Sequence, residues 1–148
     1  MNYLENTFDS TTIKYDTNKY NFRKYVENLF DEKLENLSME NHKLETMENN
    51  CKTKYHKLFY NKLHNSYDEF VNLYEHFIHD VIVDLIPCNF IYQITPSLRI
   101  QYKNNLAAPE FHIDTQPGFD HPDGEINFII PLTNMFDSNS LWIESEPG

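Results

Sequence analysis

All seven prolines and all three glycines of this 148-residue chain lie at or after Pro87. Proline has no backbone N–H to donate and glycine carries an entropic penalty in regular elements, whereas turns between strands favour both. The first 87 residues are therefore expected to be mainly helical and the remainder mainly strands and turns. This divides the chain into an irregular lead-in over 1–17, a helical region over 18–87 and a strand-rich region over 88–148.

Periodicity fills in the helical region. Tyr20, Phe22, Tyr25, Val26, Leu29 and Phe30 recur near helical spacing. Residues 33–50 predict a weaker, more exposed helix, and Cys51 to about Leu63 another, through Tyr55, Leu58, Phe59 and Leu63. The strongest helix is expected to start at Ser66, where Ser66 and Glu69 have the spacing of a capping box. Tyr67, Phe70, Val71, Tyr74, Phe77, Ile78, Val81, Ile82 and Leu85 then predict an unbroken apolar face that Pro87 ends. His76 and His79 lie beside that face and are read as surface residues.

After Pro87 the period becomes two. Strands are predicted over 90–94, 98–102, 110–114, 125–132 and 141–145, with Trp142 in the core. The fold class expected is α+β, with the helical part packed on the outside of a sheet of jelly-roll or barrel type.

Charge and composition exclude some partners. A formal net charge of −11 and a pI near 4.9 oppose binding to nucleic acid or to an anionic membrane, both of which need basic surface. Hydrophobic residues make up 40% and aromatics 15%, enough to bury a core. Cys51 and Cys88 are too few and wrongly spaced for a disulfide framework. Without a signal-type N-terminus or an apolar run of about 18 residues, the expected location is cytoplasmic.

The chemistry gathers after Pro109. On a strand, residues i and i+2 point to one face, so His112 and Asp114 would aim an imidazole and a carboxylate at one point. Those are two of the three ligands of the 2-His-1-carboxylate iron site. A second H-x-D triplet, His121-Pro122-Asp123, runs into Pro-Asp-Gly, a turn signal. Arg99 is placed to reach a carboxylate or to form a structural ion pair. Glu125 and Asn127 share a predicted strand face, as substrate contacts, as partners of the metal ligands, or as polar residues at an open sheet end.

Ordered blocks strengthen the metal reading. They are Leu98-Arg99-Ile100-Gln101, Asn105-Leu106-Ala107, Glu110-Phe111-His112-Ile113-Asp114, His121 through Phe128, Pro131-Leu132-Thr133, and Asn139 through Gly148. Together they resemble the 2-oxoglutarate/Fe(II)-dependent dioxygenases, in particular the branch of aminoglycoside (streptomycin-type) antibiotic biosynthesis. The resemblance implies a double-stranded β-helix, ferrous iron on His112 and Asp114, and 2-oxoglutarate as cosubstrate. It also implies oxidation of a polar, sugar-like small molecule.

The pattern is incomplete. The family's third ligand is a later His followed by a basic residue that binds 2-oxoglutarate, yet the sole His after Asp114 is His121. The chain is thus expected to be a fragment carrying a partial double-stranded β-helix, with His121 either a substitute ligand or a residue near the substrate that fixes the loop. The alternative is a non-catalytic binding or interaction module derived from the same fold.

Overall fold

The computed structural model describes residues 12–37, 53–65, 69–102, 121–122 and 124–143. Helix α1 spans Phe22–Phe30. The Asn21 side chain accepts from the Lys24 amide at 2.9 Å and caps its start. At its end Asp31 takes the left-handed conformation (φ 53°), while the Glu32 amide reaches the Glu27 carbonyl and the Asp31 amide that of Asn28. This is a Schellman closure with aspartate at the position glycine usually holds. Phe22, Val26 and Phe30, each four residues apart, form the buried face.

Helix α2 spans Lys54–Asn65 and buries Tyr55, His56 and Phe59, while Leu58 is exposed. The inward face is thus rotated from the expected one, with His56 inside and Leu58 out. Of the helix expected over 33–50, the described part is a single 3₁₀ turn, Leu34–Asn36.

Helix α3 spans Glu69–Phe77. The predicted face is buried at Phe70, Tyr74, Phe77, Ile78 and Ile82, but the helix is not uniform. After Phe77 the chain makes a π turn at Ile78–Ile82 and a 3₁₀ turn at Val83–Leu85. A π turn takes one more residue per hydrogen-bonded ring than an α-helix, yet Ile78 and Ile82 stay buried and Val81 and Leu85 still pack on the core. Ile86 is extended, as the residue before Pro87 must be. The proposed Ser66 cap lies outside the described residues. His76 and His79 are exposed, as expected, with His76 Nδ1 2.8 Å from the Asn72 carbonyl.

The core is aromatic. Phe77 packs edge-on against Tyr15, Tyr20 and Phe22, with ring centroids 5.0, 5.4 and 5.3 Å away. Phe59 meets Phe70 at 5.2 Å and Phe30 meets Tyr55 at 4.9 Å, which joins α2 to the other two helices. The turn just before α1 is fastened by the Tyr20 hydroxyl, which donates to Asp80 Oδ2 at 2.6 Å, and by the Lys19 ammonium at 2.9 Å from the same oxygen.

The sheet is where the expectation fails. Among the described residues there is no strand, so a helical part packed outside a partial double-stranded β-helix or jelly-roll is not the fold observed. Segments 90–94, 98–102 and 125–132 have strand-like alternation, but a strand exists only where a neighbour accepts and donates its backbone hydrogen bonds. Here helix side chains do part of that work. The Tyr74 hydroxyl donates to the Gln93 carbonyl at 2.9 Å, the Leu98 amide donates to the Tyr60 hydroxyl at 2.9 Å, and Arg23 Nη1 reaches the Leu132 carbonyl at 3.3 Å. One side of the alternation, with Leu98, Ile100, Ile130 and Leu132, lies on the helical core. Other apolar positions stand in solvent: Ile91 is 99% exposed and Trp142, expected in the core, is 65% exposed. No helix among the described residues is long and apolar enough to cross a membrane.

Candidate functional site

The two principal residues, His112 and Asp114, lie outside the described residues, as does the strand predicted over 110–114. The flanking candidates are described. His121 precedes a turn in which the Glu125 amide donates to the Pro122 carbonyl at 3.3 Å and Gly124 sits at φ 80°. That turn brings Glu125 Oε2 to 2.8 Å from His121 Nδ1. The shared strand face expected for Glu125 and Asn127 is not formed; Glu125 folds back onto the imidazole while Asn127 lies exposed beyond it. The carboxylate favours the tautomer with hydrogen on Nδ1, leaving Nε2 as an acceptor, an orientation also seen in histidines that bind metals.

Glycine at 124 is required by backbone conformation and not by space, since a Cβ there would meet nothing within 4 Å. Gly124→Ala is expected to cost about 1 kcal/mol through the left-handed φ alone. It should weaken the His121–Glu125 contact, read as a change in the His121 ring resonances with little change in far-UV circular dichroism. An unaltered His121 environment in the alanine variant would count against the turn as its support.

Arg99 is exposed on the extended segment after Pro96. Among the described residues no hydrogen bond or ion pair joins it to His121 or Glu125. An open groove along α1 holds Arg23, Glu27 and Lys33, whose charges are spent on one another: Glu27 takes Arg23 at 2.9 Å and Lys33 at 2.7 Å. Arg23 also holds Glu35 at 2.7 Å. These internal pairings weaken the pull of the groove on an anionic ligand.

One polar cluster lies outside the expectations drawn from the sequence. His56 is 2% exposed, with Nδ1 2.7 Å from the Thr53 hydroxyl, and its ring faces the backbone of Leu98. The Thr53 hydroxyl can either donate to Nδ1 or accept from it, according to the tautomer of the ring. Burial, first, and the positive charge of Arg99 push the His56 pKa down, against the Leu98 backbone, which raises it. The Tyr60 ring is stacked 6.4 Å away. The Tyr102 hydroxyl is buried beside Thr53 yet makes no hydrogen bond of adequate geometry there, and burial raises its pKa. A signal for this cluster is present: His56 lies at helical spacing with Phe59, Tyr60 and Leu63, behind a threonine suited to an N-cap.

Among the described residues no three of His, Cys, Asp and Glu converge in a way that would hold a metal ion. No family profile and no solved structure matches the chain. Over 102 residues it is 31% identical to the streptomycin biosynthesis protein StrG of Streptomyces griseus, an alignment covering 69% of this chain and 48% of that protein. The chain therefore spans about half the length of the curated relative it matches.

Proposed function

We propose that this chain carries the His112–Asp114 half of the iron site of an Fe(II)/2-oxoglutarate-dependent oxygenase that oxidises a polar, sugar-like small molecule. The observation that carries the proposal is the similarity to a streptomycin biosynthesis protein over 69% of the chain. His112 and Asp114 supply one nitrogen and one oxygen donor, the chemistry ferrous iron takes from such sites. His121, held through Nδ1 by Glu125, would present Nε2 to a substrate hydroxyl or to the open side of the metal. The acidic balance of the chain favours a small polar ligand over nucleic acid or an anionic membrane. The free, exposed Cys88 suits a reducing, cytosol-like compartment.

The second reading is a non-catalytic binding module. One titration separates the two. Anaerobic ferrous iron with 2-oxoglutarate should give a visible metal-to-ligand charge-transfer band that is lost in His112→Ala, with the far-UV spectrum unchanged. A wild-type chain showing neither the band nor any shift of its thermal midpoint with ferrous iron would sink the oxygenase reading and leave the module.

A further inference from the structure

We propose that Thr53 and His56 of α2, closed over by residues 98–102, form an acid-released latch that holds this extended segment on the helical core. The Leu98 amide donates to the Tyr60 hydroxyl of α2 at 2.9 Å, and the His56 ring is stacked on that same Tyr60 with centroids 6.4 Å apart. Leu98 and Ile100 pack on the core and Tyr102 is buried, so the segment is fastened at its two ends. Among the described residues no strand ladder helps to hold it.

A proton added to His56 places a cation in a site closed to water, and two features favour release of the segment over tolerance of the charge. Arg99, on the segment itself, repels the imidazolium. Lifting 98–102 carries Arg99 away from the ring and leaves the aromatic core in place. Local opening needs less free energy than global unfolding when few contacts are broken. The remaining groups facing the cluster do not supply a buried counter-charge. Thr53, Tyr60 and Tyr102 are neutral; Lys54 and Glu32 act on the Tyr102 phenol with opposite signs, and the Glu32 carboxylate is already held by the Tyr55 hydroxyl at 2.7 Å.

The latch is independent of the iron reading, because it is read from backbone exchange in the metal-free chain. Amide hydrogen exchange is measured on the full chain between about pH 7.5 and 5.5 and corrected for the intrinsic rate. Protection at Leu98, Ile100 and Tyr102 should fall by up to roughly tenfold per pH unit once His56 titrates in the open state. Amides of α1 (Phe22–Phe30) should keep theirs. In His56→Gln the acid loss should disappear, and in Arg99→Gln it should shrink. Equal acid losses in α1 and in 98–102, or a loss that persists unchanged in both variants, overturns the latch. Should His56→Gln fail to fold, Arg99→Gln alone decides, since its exposed side chain lies outside the core.

Discussion

Phe77→Ala is expected to remove about 3–5 kcal/mol of stability, the range for deleting a large aromatic from a packed core. Phe77 is 4% exposed and its ring is shared by Tyr15 and Tyr20, which precede α1, and Phe22 of α1. All three partners come from one stretch, Tyr15 to Phe22, so losing the ring also frees that stretch from α3. A loss of that size is a large fraction of the ~5–15 kcal/mol that holds a typical domain together. Tyr20 would also loosen, and with it the hydroxyl that binds Asp80 at 2.6 Å. Urea unfolding monitored by far-UV circular dichroism checks the value. Val83→Ala, on the continuation of the same helix but exposed, is the control and should stay within about 0.5 kcal/mol. Equal losses in the two variants would show that Phe77 does not anchor the core.

Acid should unfold the chain in two stages. Burial holds the His56 pKa below its ordinary value of 6.5, so the unfolded chain binds more protons than the native one as pH falls past that point. Its contribution is complete above 6.5 and is lost on the way down. The second stage belongs to carboxylates with lowered pKa values: Asp80 through Tyr20 and then Lys19, Glu27 chiefly through Lys33, and Glu35 through Arg23. Their stabilisation is present above the ordinary values of 3.8 and 4.5 and is lost below them. Asp80 and Glu35 are solvent-accessible, so salt should weaken the second stage more than the first. A net charge of −11 works the other way, because general repulsion relaxes as the pH approaches the pI. The difference between wild type and His56→Gln cancels that common trend. Urea midpoints measured at each pH should converge below 6.5 and separate above it. A constant gap across the range would remove His56 from the acid response.

The helical half of the fold is legible in the residues because its signal is local. Phe22, Val26 and Phe30 repeat within one helix, and Phe70, Tyr74 and Phe77 within another, so spacing alone identifies the buried face. Two local departures have physical causes. Leu58 and His56 are nearly equivalent by spacing, and hydropathy favours the leucine, but the Thr53 hydroxyl gives the histidine a partner inside. The π turn at Ile78–Ile82 keeps the apolar pattern of an α-helix.

The extended half is illegible for a different reason. Alternation in Phe90-Ile91-Tyr92-Gln93-Ile94 records a propensity, whereas a strand is a property of two segments together. Within the described residues the second partner is a tyrosine or an arginine from a helix. For the candidate site, the pairing of His121 with Glu125 depends on the φ of Gly124, which reverses the chain at the start of the segment that alternation alone would make a straight strand.

The three side-chain ties to Gln93, Leu98 and Leu132 also bear on how this protein can change over time. In a hydrogen-bonded ladder, one inserted or deleted residue moves every later side chain to the opposite face. Point fasteners confine such a change to the stretch between two of them. Length variation is therefore expected to be tolerated between residues 93 and 98, around the Thr95-Pro96 bend, while Tyr60, Tyr74 and Arg23 should resist replacement.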